Sequence, residues 1–111
     1  MAEQITIQEF ARLDLRVGRV TEVRDHPNAD KLYVFNVDLG PDLGIRQMVA
    51  GLKPYMTPAA LQGKLVIVVA NLEPAVLRGQ RSEGMLLAAQ DGGKVVVLTT
   101  AEAVAPGSRI R

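Results

Sequence analysis

The sequence predicts a mainly β domain: a small barrel of five strands with a short N-terminal helix, a short helix between strands 3 and 4, and a C-terminal extension. Three observations carry this. Residues 65–70, LVIVVA, form an apolar run rich in β-branched side chains, too short for a typical helix and not alternating, which suits a strand buried on both faces. That run is expected to be the spine of the barrel. Residues 31–39 and 45–50 flank the turn-rich GPDLG as a hairpin. Finally, the apolar alternation of residues 13–23 slips near Gly18, as it does where a β-bulge bends a strand around a small barrel.

The elements follow in order. In residues 5–13, Thr6 precedes Glu9 by three positions, the spacing of a capping box, and Ile5 and Phe10 are placed for a hydrophobic staple across it. A short helix is expected there. Leu13, Leu15 and Val17 then alternate with Asp14, Arg16 and Gly18. Positions 13, 17 and 20 also share a helical face, but the glycine and the β-branched residues that follow favour a strand. His26-Pro27-Asn28-Ala29-Asp30 has turn composition, with Pro27 steering His26 away from helical geometry. Lys31 opens the next strand, which sets Tyr33, Phe35, Val37 and Leu39 on one face. Between Gly51 and Gly63, Thr57 is a candidate N-cap, Pro58 suits the first helical position, and Gly63 lies just past the end. After the apolar run and a polar break comes a second apolar strand. Asp91-Gly92-Gly93 turns into residues 94–99, and a proline-glycine turn precedes a last extended piece.

Composition narrows the function classes. The 111 residues are one domain's worth of chain, taken here as a single domain over 1–111. Thirteen Lys and Arg against twelve Asp and Glu leave a formal charge of +1, so any anion binding must come from local placement rather than a global field. Without cysteine there is no disulfide framework, thiolate nucleophile or cysteine-ligated metal, which fits a reducing compartment. The N-terminal MAEQITIQEF is acidic where a signal peptide is basic, and no apolar run approaches the ~20 residues of a membrane span. A soluble, cytoplasmic protein without membrane attachment is expected.

Any chemistry the chain has is expected in the polar break of residues 71–84, which must run over the surface between two core strands. Lys31, Lys53, Lys64, Arg78 and Arg81 can line an anion-binding face, or serve as ordinary solvated charge. Asn71 and Ser82 can contact phosphate, a ribose 2′-OH or a base edge, or close the loop on itself. Met85 suits the core, or an unstacked base at the barrel mouth. Glu83 is expected to orient Arg81 or a loop amide, and Asp30 to pair within its turn. Two Tyr, two Phe and no Trp are too few to line a long single-strand groove, which favours a folded RNA read by its backbone shape. Catalysis is not expected. The only histidine, His26, lies 56 positions from Ser82, and the carboxylates form no acid–base pair by spacing.

Three strands, a short helix and further strands, with a bulged glycine in the first, is the order of the five-stranded OB barrel. The motifs decide for it. DLRVGRV at 14–20, HPNADKL at 26–32, VAGL at 49–52, VANLEP at 69–74, LRGQRSEGM at 77–85 and APGSRI near the end span nearly the whole chain. In this order they resemble the tRNA-binding OB-fold family. Its members include free-standing tRNA-binding proteins, methionyl-tRNA synthetase C-terminal domains, phenylalanyl-tRNA synthetase β chains, the endothelial monocyte-activating polypeptide and the CsaA export chaperones. The resemblance is strongest to the free-standing protein and the methionyl synthetase appendage. It implies non-catalytic binding of tRNA by shape, no cofactor, a homodimer built from the N-terminal helix and C-terminal extension, and possible partnership with an aminoacyl-tRNA synthetase. It also implies nucleic-acid contacts at Lys31, Lys53, Asn71, Arg78, Arg81, Ser82 and Met85. One departure stands out: Ala75 and Val76 follow the NLxP motif where many relatives carry basic residues. The alternative within the same resemblance is a CsaA-like chaperone that binds unfolded polypeptides, motivated by Leu77 near the barrel mouth.

Overall fold

The computed structural model describes residues 2–111. Thr6 and Glu9 cap one another as their spacing predicts: the Glu9 amide donates to Thr6 Oγ1 at 3.1 Å and the Thr6 amide to Glu9 Oε1 at 3.0 Å. They start a single helical turn, α1 (Ile7–Phe10). Ile5 and Phe10, the expected staple, both stay exposed. There follow β1 (Leu15–Asp25), β2 (Tyr33–Asp38), a helical turn α2 (Gly40–Leu43) and β3 (Ile45–Ala50). Thr57 caps α3 (Pro58–Leu61) by accepting from the Ala60 amide, with Pro58 in its first turn and Gly63 at φ 83° just past the end. β4 (Leu65–Val69) leads to a hairpin of β5 (Ala75–Leu77) and β6 (Gln80–Ser82). The chain continues through the two-residue β7 (Met85–Leu86) into a second hairpin of β8 (Ala88–Asp91) and β9 (Lys94–Val97), turned at Gly92-Gly93.

The sheet order is β3-β2-β1-β4-β7, a nearly closed five-stranded barrel. Its spine is β1, not the 65–70 run. β1 has eleven residues, enough to serve different neighbours along its two halves, whereas β4 has five. Residues 15–19 pair with β4 and residues 19–25 with β2. The edge of the first half that β2 does not reach is filled by the C-terminal extension: the Gly107 amide donates to the Val17 carbonyl at 2.7 Å and the Ile110 amide to that of Leu15 at 2.9 Å. Arg16 locks the extension in place. Its guanidinium donates to Asp14 Oδ1 at 2.6 Å and to the Gly107 carbonyl at 3.1 Å, and the bond to Asp14 raises its pKa above the ordinary arginine value.

The bulge exists, but it lies at Thr21: the β1–β2 register shifts between Val20 and Glu22. Gly18 answers a different need. A Cβ there would overlap the Val37 side chain and lie 2.9 Å from Leu39 Cδ2, so glycine lets the strand close on the core. That core gathers Val20, Phe35, Val37, Leu39, Met48, Leu61, Val66 and Val68. Within β4, Val66, Val68 and Val69 are buried and Leu65 and Ile67 only partly, so the expected two-sided burial is incomplete. Among the described residues no helix is long and apolar enough to cross a membrane.

Candidate nucleic-acid interface

The polar break is not a plain loop. Arg78 and Gly79 adopt φ of 53° and 90°, the left-handed pair that a two-residue type I′ hairpin requires. They turn β5 into β6, pairing Ala75 with Ser82 and Leu77 with Gln80. Sequence reasoning missed this hairpin because Arg-Gly is not the usual Asn-Gly or Asp-Gly signal and each arm has only three residues. The turn holds Arg78, an exposed cation, at the hairpin tip.

His26 joins this tip to the β1–β2 loop. The residue is 5% exposed, its Nδ1 accepts from the Asn28 amide at 2.9 Å, and Nε2 stands 2.8 Å from the Leu77 carbonyl. The first bond fixes the tautomer: Nε2 carries the proton and donates to Leu77. The turn residue expected from HPNAD is therefore also a clasp between two loops distant in sequence. As a result Lys31 and Arg78 line one surface depression of about 380 Å³, with Ala29, Asp30 and Leu32. These are the loops, between strands 1 and 2 and before the last barrel strand, through which OB barrels meet oligonucleotides.

A second set of bonds fixes Arg81. Arg24 Nη2 donates to Gln47 Oε1 at 2.7 Å, and Gln47 Nε2 donates to the Arg81 carbonyl at 2.9 Å, linking β1, β3 and β6. The Arg81 side chain stays exposed, with Nε 3.8 Å from Glu83 Oε1, as expected of an orienting carboxylate. Arg24 was missed because its partner Gln47 lies 23 positions away on β3, a pairing that no local spacing shows. Lys53 Nζ is 3.3 Å from Asp25 Oδ1 at the end of β1, so its charge is partly answered within the chain. Among the described residues Lys31 and Arg78 have no carboxylate within 4.0 Å, and Asp30 makes no ion pair with Lys31.

Two of the residues expected at the interface make bonds within the chain. The Asn71 side chain accepts from the Asp14 amide at 2.8 Å and donates to the Arg12 carbonyl at 2.7 Å, pinning the approach to β1 onto the end of β4. Ser82 is buried, its hydroxyl accepting from the Val49 amide at 3.0 Å and donating to the Gly84 carbonyl at 3.1 Å. With the Glu83 amide on the Gln47 carbonyl at 2.8 Å, it ties the hairpin to β3 at the edge of the barrel sheet. Neither residue simply closes its loop on itself: Asn71 binds the segment before β1, and Ser82 binds β3 as well as Gly84 of its own loop. Met85 is 50% exposed on β7 rather than in the core. Ala75 and Val76 are exposed on β5, where a basic residue would have extended the charged surface.

The family model described as "Putative tRNA binding domain" matches residues 15–109. The methionine–tRNA ligase of Thermococcus kodakarensis is 56% identical over 109 residues, covering 98% of this chain and 14% of that protein. That of Thermotoga maritima is 45% identical over 111 residues, covering 98% and 17%. The chain thus spans less than a fifth of the length of these ligases. Among solved structures, a MetRS-related protein from Pyrococcus horikoshii superposes with a TM-score of 0.91 at 32% identity, covering 99% of this chain and all of the other. The chaperone CsaA of Bacillus anthracis gives 0.88 at 28% identity over 98% of this chain and all of the other. With the family model spanning most of its length and a relative more than half identical across nearly all of it, the chain belongs to the tRNA-binding domain family.

Proposed function

We propose that the chain binds tRNA by its folded outline, without chemistry, as a homodimer that acts alone or as an appendage or partner of an aminoacyl-tRNA synthetase. The observation that carries the reading is the His26–Leu77 clasp, which brings Lys31 and Arg78 to one depression between the two loops. Arg81 and, with a charge shared with Asp25, Lys53 extend the cationic surface, and Met85 offers an apolar contact beside it. Asn71 and Ser82 support this surface from within the chain. Few exposed aromatics and several fixed cations suit a structured backbone better than a run of stacked bases.

The dimer is proposed from the opposite kind of surface. Ile7, Phe10, Leu13 and Leu72 are exposed, and depressions lined by α1, Leu13 and residues 109–111 adjoin them. A second copy would cover this face and double the cationic surface offered to one RNA. In a filter-binding titration, affinity for tRNA is expected to fall steeply with salt, and unstructured RNA of equal length should compete poorly. Light scattering on the same sample should give twice the mass of one chain. Equal competition by the two RNAs would sink the shape-reading claim.

The second reading, a chaperone for unfolded polypeptides, has one observation in its favour. Val76 and Leu77 are exposed on the hairpin, and CsaA, a chaperone by name, shares the fold. Suppression of a model substrate's aggregation that tRNA does not reverse would favour it.

A further inference from the structure

Of the four aromatic side chains, three have evident places. Phe35 and Tyr33 are buried, the Tyr33 hydroxyl donating to the Met56 carbonyl at 2.8 Å, and Phe10 belongs to the apolar surface around α1. Tyr55 is 47% exposed. Its backbone is not loose: the Tyr55 and Met56 amides both donate to the Leu52 carbonyl, at 2.9 and 3.1 Å. Two adjoining depressions share Tyr55, each also lined by Val95 and Val96 of β9, with Lys94 on one and Lys64 on the other. Among the described residues neither lysine has a carboxylate within 4.0 Å. Arg19 reaches the Gly63 carbonyl at 2.9 Å, bringing a third cation next to Lys64 in the chain.

We infer that Tyr55 is a stacking platform for one unpaired base of the bound RNA, with Lys64 and Lys94 answering the phosphates on either side of it. The inference rests on the tRNA-binding reading and adds a contact to it. A nucleotide presents a flat apolar face between two negative charges, and this patch presents an aromatic ring and aliphatic side chains between two unpaired cations. Along the chain it adjoins the cationic surface already described, since Lys53, which meets Asp25 at the end of β1, precedes Tyr55 by two residues. An apolar peptide laid along β9 would use Val95 and Val96 but would have no need of the lysines.

The chain carries its own probe, because it has no Trp and its other tyrosine is buried. Adding tRNA to the full chain should quench intrinsic tyrosine fluorescence, while Tyr55→Phe should retain affinity and show only the absorption loss common to both samples. Tyr55→Ala should weaken tRNA binding about tenfold, within what one base stacked on an aromatic ring contributes. Lys64→Gln and Lys94→Gln should each lower the slope of log affinity against log salt by about one. If tRNA binds but the tyrosine signal stays and Tyr55→Ala binds normally, the stacking assignment is wrong and tRNA binding stands. If Tyr55→Ala instead loses only affinity for an extended apolar peptide, the patch is a peptide site and the assignment is equally wrong. Absence of any tRNA binding in the filter assay removes the underlying reading and this contact with it. The fluorescence of wild type beside Tyr55→Phe decides the matter even if the alanine variant folds poorly.

Discussion

A chain carrying Lys31→Glu, Arg78→Glu and Arg81→Glu together is expected to lose tRNA affinity by more than about a thousandfold at moderate salt, while its thermal unfolding changes little. Each charge-assisted bond to phosphate contributes on the order of 1.5–3 kcal/mol, and reversal adds repulsion to the loss. Three such losses exceed the ~4 kcal/mol that separate a thousandfold difference in affinity. Folding should tolerate the change because all three side chains are exposed and none makes an ion pair within 3.5 Å, Arg81 standing 3.8 Å from Glu83. The slope of log affinity against log salt should flatten by about two to three, reflecting the phosphates no longer neutralised. Lys53→Glu should cost less than any one of the three, since Asp25 already answers part of that charge at 3.3 Å. A filter-binding series over several salt concentrations checks both numbers. A triple variant that binds within tenfold of wild type would move the interface elsewhere on the barrel.

How much of this was legible in the sequence depends on whether a residue's role is local. The capping box at Thr6 and Glu9, the Thr57-Pro58 helix start, the β2–β3 hairpin and the Gly92-Gly93 turn are all set by neighbours a few positions away, and all form. Long-range geometry was not legible. Nothing near Gly18 says that its missing Cβ makes room for Val37 and Leu39, twenty residues on, so the phase slip was assigned to the glycine rather than to Thr21. The spine was misplaced for the same reason: hydrophobicity marks burial, and 65–70 is more apolar, but β1 is the strand long enough to meet β4 along one half, β2 along the other and the C-terminal extension besides. At the interface, charge was legible and satisfaction was not. Lys31, Arg78 and Arg81 are exposed, as cations flanking a turn usually are. Asn71 and Ser82 have the same polar chemistry available for RNA or for backbone, and only the positions of the Arg12 carbonyl and the Val49 amide decide it for backbone. His26 shows the limit most clearly, because its partner at Leu77 lies 51 positions away.

That partner makes His26 the residue whose loss should be felt furthest from where it stands. His26→Ala leaves the Asn28 amide and the Leu77 carbonyl without their ring partner and empties a buried site, together about 2–4 kcal/mol of stability. It should also weaken tRNA binding about tenfold, although the ring is too buried to touch RNA, because the hairpin tip with Arg78 is no longer held beside Lys31. The two effects separate in His26→Asn. An asparagine can still accept from the amide two residues on, as it does in Asx turns, so the local turn survives and part of the stability returns. Its side chain is too short to span the gap to Leu77, so the affinity should stay near that of the alanine variant. Urea unfolding beside tRNA titration of the two variants distinguishes the cases. If the asparagine variant recovers affinity in step with stability, His26 serves only its own turn; if it recovers stability alone, the bond to Leu77 is what assembles the cationic surface.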